Sequence, residues 1–190
     1  MRTSVQRDRR FVPPASSRLR SIVQIVAFVC LALGATVVGC GESGQFQSSE
    51  AVKQRIQARL DASLEATRAK DIDRYMSFVP SDWTLHDYKG ATLSRSDLRR
   101  GVLEQWSIID KTISLEERVE RLTVQPDGAT VWTSQRWERL MRERTGSQLD
   151  DVLTTQKHEE HWRFVRGQWW CYEVKELGGE IFVNGRPYHE

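Results

Sequence analysis

The chain carries two hydrophobic rhythms in succession, a helical one and then a two-residue one. Val52, Ile56, Leu60 and Leu64 recur every four residues with Ala62 and Ala66 beside them, while Lys53, Arg55, Arg59, Glu65 and Arg68 take the other faces. That spacing predicts an amphipathic helix, capped by Ser48 or Ser49 and running to Lys70. Asp71 caps a short second helix over Ile72 to Val79, and Pro80 ends it. Trp83 to Tyr88 alternates as a strand, Lys89-Gly90 turns it, and Ser94 or Ser96 opens a third helix. Leu98, Val102, Leu103, Trp106 and Ile109 form the apolar face of that helix.

From Lys111 the period falls to two. Thr112 to Val124 reads as a long strand with Ile113, Leu115 and Val119 in one phase and Leu122 and Val124 in the other. The slip predicts a β-bulge near Glu120-Arg121. Pro126-Asp127-Gly128 is a hairpin turn, Ala129 to Met141 the returning strand, and Glu143 to Gln148 a polar loop. Val152 to Val165 and Trp169 to Lys175 then flank Arg166-Gly167-Gln168 as a second hairpin. After Gly178-Gly179 the expectation is a C-terminal tail, residues 177–190, holding a short apolar run and an Asn184-Gly185 turn. Helices first and a meander of long strands afterwards predict an α+β fold. In it a curved antiparallel sheet of four or more strands wraps two or three N-terminal helices.

The first 47 residues follow neither rhythm. An Arg-rich stretch precedes an apolar run from Ser21 to Val38 in which only Gln24 and Thr36 interrupt. This is the layout of a secretory signal, residues 1–39. It ends in Val37-Val38-Gly39-Cys40, which resembles a bacterial lipobox. The resemblance implies cleavage before Cys40, lipidation of Cys40 with chains such as palmitate, and a membrane anchor in the cell envelope. Residue 41 is Gly rather than Asp, so by the same resemblance the outer membrane is the expected address in a host with two membranes. Residues 40–49 are small and polar and read as a tether.

The overall charge of +2 changes meaning once this leader is set aside. Six arginines and one acid lie in residues 1–39, so the remainder holds 22 basic against 25 acidic residues, about −3. A mildly acidic domain has no electrostatic footprint for nucleic acid. Of the three cysteines, Cys30 is in the leader and Cys40 is committed to lipid, so Cys171 is left without a disulfide partner.

Four features in this order resemble the nuclear transport factor 2-like superfamily, in particular its SnoaL-like bacterial members. They are Ala69-Lys70-Asp71, Asp87-Tyr88-Lys89-Gly90, Pro126-Asp127-Gly128-Ala129-Thr130-Val131, and Arg166-Gly167-Gln168-Trp169. The resemblance covers residues 50–176. It implies a cone-shaped fold whose bent sheet leaves a pocket at the wide end. The family holds both enzymes and non-catalytic binders. With no catalytic constellation, metal spacing or phosphate loop in the sequence, the expectation is a non-catalytic binder of a small apolar ligand or partner protein at the envelope. The alternative is a SnoaL-like isomerase or hydratase using a pocket His or Glu.

Candidate chemistry is sparse. His158-Glu159-Glu160-His161 lacks the i, i+4 helical spacing of a zincin site, so no metal and no cofactor is expected from it. His158, Glu160, Trp162 and Phe164 share one strand face with Thr154 and Gln156. If Trp162 and Phe164 pack on the helices, His158 and Glu160 sit near the pocket mouth, where the expectation is a hydrated pair at the rim. His86 and Glu173 are the other acid–base candidates, with Tyr75 and Tyr172 as further polar groups, and no spacing selects a catalytic set. All seven tryptophans follow residue 80. Trp106, Trp162 and Trp169 are expected in the core. Tyr75, Trp83, Trp137 and Trp162 are the expected pocket lining. Trp132 and Trp170 with Tyr172 are alternatively placed on the outer face, covering a homodimer contact.

Overall fold

The structure is a computed structural model that describes residues 48–86, 92–142 and 148–188, with the backbone alone at 85 and 86. The leader, Cys40, the tether up to residue 47, the turn at 87–90 and the loop at 143–147 lie outside the described residues.

Helix α1, Ser49–Ala69, starts where the serine hydroxyl is available: Ser48 Oγ accepts from the Ala51 amide at 3.2 Å. It stops at Lys70, in the left-handed region at φ 53°, whose N–H returns to the last carbonyls. Val52, Ile56, Leu60 and Leu64 are its buried stripe. Helix α2, Ile72–Met76, is capped by the Asp71 carboxylate accepting from the Arg74 amide at 3.0 Å. It ends sooner than Val79, because Phe78 and Val79 close single turns onto Tyr75 and Met76. Strands β1, Thr84–His86, and β2, Thr92–Ser94, form a small hairpin. Ser94 and Asp97 then cap each other's backbone at the start of α3, Arg95–Ile108. Leu98, Val102 and Trp106 face inward. Leu103 was expected with them but is 44% exposed, because it lies one 100° step round the helix from Val102.

Five antiparallel strands follow in sequence order: β3 (Ile109–Gln125), β4 (Gly128–Arg142), β5 (Leu149–Val165), β6 (Gln168–Val183) and β7 (Arg186–Pro187). This is an open curved sheet with the helices N-terminal to it. The register slip predicted near Glu120-Arg121 is present between Val119 and Arg121. A second shift, between Thr112 and Ser114, was not foreseen and turns Ile113 outward, 48% exposed, out of phase with Leu115. Phe164, expected against the helices, is 44% exposed at the end of β5 and leans on Trp169 with ring centroids 5.4 Å apart.

The expected C-terminal tail is corrected as well. Strand β6 continues past Gly178-Gly179 after a register shift at Leu177, and Ile181 and Val183 pair with Thr154 and Val152. The Asn184-Gly185 turn is pinned to β5, since Asn184 accepts from the Asp151 amide at 2.9 Å and donates to Asp150 at 2.8 Å. Gly179 is needed for close approach: a Cβ there would lie 2.1 Å from the Thr155 carbonyl oxygen. Gly179→Ala is expected to cost about 1–3 kcal/mol through forced backbone shifts. An unchanged thermal melt of that variant would show that β6 has slack at this point.

The core has two centres. Leu64, Met76, Trp83, Leu98, Val102, Trp106, Leu115 and Trp137 make one. Val52, Ile56, Leu60, Val119, Val131, Trp162 and Trp169 make the other. Gln57 ties α1 to the sheet between them, accepting from the Val119 amide and donating to the Glu117 carbonyl, both at 2.8 Å.

Candidate functional site

The inward phase of three adjacent strands is polar over a short stretch. On β3 it reads Leu115, Glu117, Val119; on β4, Thr133, Gln135, Trp137; on β5, His158, Glu160, Trp162. Register brings them together, since Thr133 pairs with both Val119 and His158, and Val131 with Glu160. Glu117, Thr133, His158 and Glu160 are each no more than 8% exposed. Polar groups taken this far from water must satisfy one another.

Hydrogen counting assigns their protonation. Thr133 Oγ1 lies 3.0 Å from Glu117 Oε1, 3.1 Å from Glu160 Oε1 and 3.5 Å from His158 Nδ1. A hydroxyl has one hydrogen, so it cannot donate to two carboxylates. The pattern closes if Glu160 carries a proton and donates it to Thr133, and Thr133 donates to Glu117. Burial pushes the Glu160 carboxyl well above its ordinary value and the neighbouring Glu117 adds to this, which agrees with that assignment. Trp162 Nε1–H donates to Glu160 Oε2 at 2.7 Å and Gln135 donates to Glu117 Oε2 at 3.2 Å.

Glu117 Oε1 also faces His158 Nδ1 at 3.5 Å. Nδ1 is also within hydrogen-bond reach of Thr133 Oγ1 at 3.5 Å, and in the tautomer with the proton on Nδ1, facing Thr133 and Glu117, the lone pair of the ring is on Nε2. His158 Nε2 is buried and has no hydrogen-bond partner among the described residues. A carboxylate, an imidazole oriented by it, and an unused basic nitrogen are the parts of a general base.

These groups line one wall of a cavity of about 150 Å³. Its other walls are largely apolar: Leu60 and Leu64 of α1, Tyr75 of α2, then Trp83, Trp137, Trp162 and Val174. Tyr75 stands edge-on to Trp106, with centroids 5.7 Å apart. Burial, then Glu117, pushes its phenol up to about 12, so it is a hydrogen-bond donor at neutral pH. Trp137 is backed by a buried arginine, Arg139, whose guanidinium carbon sits 4.3 Å from the Trp137 ring centroid.

The four side chains named from the sequence as pocket lining, Tyr75, Trp83, Trp137 and Trp162, all lie on this cavity. His158 and Glu160 lie there too, but at its sealed wall rather than at a hydrated rim; each is 3% exposed. The sheet wraps further around α1 than strand phase alone reveals, and that wrapping removes the water. Glu173 does not join them. A register shift between His161 and Trp162 places it opposite His161 on the outer face, and Val174 takes the inward place opposite Glu160. His86 is on β1, with its side chain outside the described part. Trp132 faces outward under Arg121 and bonds Glu159 at 3.1 Å. Trp170 is stacked beneath Arg59 at 4.1 Å.

Glu117, Thr133 and Gln135 were missed from the sequence. Glu117 had a signal, since it sits in the same strand phase as Leu115 and Val119, where an acid faces the core. Glu117, His158 and Glu160 also each bring a ligand atom within 4.8 Å of the others, close enough for a cation.

No protein-family model and no curated protein matches the sequence. Solved structures do match, and they share the fold at low identity. A protein from Kribbella flavida superposes with TM-score 0.56 and 15% identity, covering 70% of this chain and 95% of its own. A nuclear transport factor 2-like superfamily protein from Salmonella enterica serovar Typhimurium gives 0.52 and 14%, covering 69% and 93%. A hexachlorocyclohexane dehydrochlorinase of type 2 gives 0.52 and 15%, covering 74% and 90%. The chain has the nuclear transport factor 2-like fold, as the resemblance in its turn motifs implied.

Proposed function

We propose that the domain is a proton-transfer enzyme, an isomerase or a hydratase, acting on a small and mostly apolar substrate. The observation that carries this is the Nε2 of His158, unpartnered among the described residues, on a ring whose Nδ1 faces Glu117 and Thr133 at 3.5 Å at the wall of an apolar cavity. His158 takes a proton from a carbon next to a carbonyl or a leaving group. For an isomerisation the electron pair moves onto the carbonyl oxygen and the imidazolium returns the proton to a second carbon. For a hydratase, run in the dehydrating direction, the pair expels hydroxide, which takes that proton and leaves as water. Glu117 stabilises the imidazolium formed. The neutral phenol of Tyr75 donates a hydrogen bond to the developing oxyanion. Glu160 is a positioning residue: its proton frees the Thr133 hydroxyl to serve Glu117. The shared fold with a dehydrochlorinase is compatible with this reading. A non-catalytic binder would use the same apolar walls and leave His158 idle.

Hydrogen exchange at carbon separates the two. The protein in D2O is expected to speed α-proton exchange of acetophenone or phenylpyruvate, followed by proton NMR. His158→Gln is expected to lower that rate by roughly 10²–10⁴-fold. Exchange no faster than in buffer would leave the binder.

We also propose that the domain is tethered to a membrane of the cell envelope through lipidated Cys40, on the support of the apolar run and Val37-Val38-Gly39-Cys40. Cys40→Ser is expected to abolish labelling by radioactive palmitate and leave the precursor uncut. Full labelling of that variant would remove the anchor from this account.

A further inference from the structure

One wall of the cavity carries a group that proton transfer does not use. Arg59 of α1 is on the polar side of the helical stripe, yet it turns toward the cavity and lines it with Leu60, Ser63 and Phe78. Its guanidinium carbon lies 4.1 Å from the Trp170 ring centroid and 5.2 Å from that of Phe78. Ring contacts of this kind occupy the face of a guanidinium and leave its N–H groups in the plane. Among the described residues no carboxylate pairs with Arg59, and its Nη2 is buried with no hydrogen-bond partner. Arg74, Arg99, Arg100, Arg118, Arg136 and Arg142 each reach an acid, and of the arginines stacked on rings, Arg59 is the one that lines this cavity.

A stacked, partly desolvated guanidinium with an unpartnered Nη2 suits a planar anion, because the fork of N–H donors matches a carboxylate. The cavity, at about 150 Å³, is close to the volume that admits a benzene-sized molecule. Aromatic and aliphatic walls fit the body of such a molecule, and Arg59 fits one charged end.

We propose that Arg59 is a specificity-determining residue, and that the substrate is a small aromatic or alicyclic carboxylic acid whose carboxylate docks on it. The inference rests on the small-molecule pocket proposed above and adds the chemical class of what enters it. The carboxylate is held at α1 and the reacting carbon is turned toward His158 on β5. Charge also favours this orientation, because the opposite one would set the substrate's carboxylate against Glu117. Burial already lowers the Arg59 guanidinium below its ordinary value, and an arriving anion would offset that cost.

The test compares benzoate with benzamide, which have the same shape and differ in charge. Binding to the purified full chain is followed by tryptophan fluorescence and calorimetry. Benzoate is expected to bind at least about tenfold more tightly than benzamide, with the difference shrinking as salt rises. Arg59→Gln is expected to remove the preference, bringing benzoate affinity to that of benzamide measured on the same variant. Arg59→Met, which keeps apolar contact with the rings, guards against a folding defect in the first variant and should give the same loss. Equal affinity for the two probes, or a preference that survives both variants, overturns the proposal while leaving the pocket in place. If neither probe binds, the pocket itself fails and the proposal goes with it. A benzoate preference lost with Arg59, in a protein that gives no α-proton exchange, supports the anion site and ends only the enzymatic reading.

Discussion

Trp169→Ala is expected to lower the free energy of unfolding by about 3–5 kcal/mol, the range for truncating a large buried aromatic side chain. Trp169 is 7% exposed and packs in the cluster formed by Val52, Ile56 and Leu60 of α1 with Val131 and Trp162. It follows the turn at Arg166-Gly167, where φ values of 52° and 79° reverse the chain, so its inward direction is set by the hairpin. The surrounding side chains come from α1, β4 and β5 and have little room to collapse into the space. Because a domain of this size is stable by only about 5–15 kcal/mol, the variant should be largely unfolded in mild denaturant. Leu103→Ala is the matched control. The side chain is apolar but 44% exposed, so its melt should move little. Equal losses for the two variants would mean that the inward and outward faces have been exchanged.

Most of the fold was legible because two signals agreed along its length. The helical stripe of α1 runs unbroken from Val52 to Leu64, β4 and β5 pair with no register shift, and turn chemistry marked where the rhythm changed. The errors fall where a local shift in register resets the phase. Ile113 follows one such shift and Glu173 another, and in both cases alternation alone points the side chain to the wrong face. The tail was misjudged for a related reason: Gly178-Gly179 reads as a break, yet the absence of a Cβ is what lets β6 stay against Thr155.

The candidate site was legible in its residue types but not in its environment. Phase put His158 and Glu160 on the face of Trp162. It could not say that α1 covers them, because burial depends on how far the sheet curls. Nor could it pair them with Glu117 and Thr133, since cross-strand register over 16 to 27 residues is a tertiary fact. Arg59 shows the same limit. Its place on the polar side of the helix predicted solvent, and only the positions of Phe78 and Trp170 draw it to the cavity.

Stability should pass through a maximum near the ordinary carboxylate range and fall as pH rises above it. The sign follows from Glu160. Its carboxyl is pushed above its ordinary value of 4.5 by burial first and by Glu117 second, so the folded state holds that proton more tightly than the unfolded state. Below that value both states are protonated and the residue contributes no slope. Above it the unfolded chain releases the proton and the folded one keeps it, so unfolding gains about 1.4 kcal/mol per pH unit for one full proton. The loss continues until pH reaches the raised folded value, and Tyr75, pushed from 10.0 to about 12, extends it at alkaline pH. Asp97 acts on the opposite limb. Hydrogen bonds from the Ser94 side chain and backbone, then Arg100, hold its carboxyl down at about 2. Its contribution is complete above its ordinary value of 3.8 and is lost as pH falls towards about 2. Urea denaturation across the pH range reads both limbs. Glu160→Gln, which keeps a neutral donor for Thr133 and an acceptor for Trp162, should flatten the upper limb and leave the lower one intact. A wild-type protein that grows more stable from about pH 5 to 8 would show that Glu160 ionises inside the fold, and the proton chain through Thr133 would then be wrong.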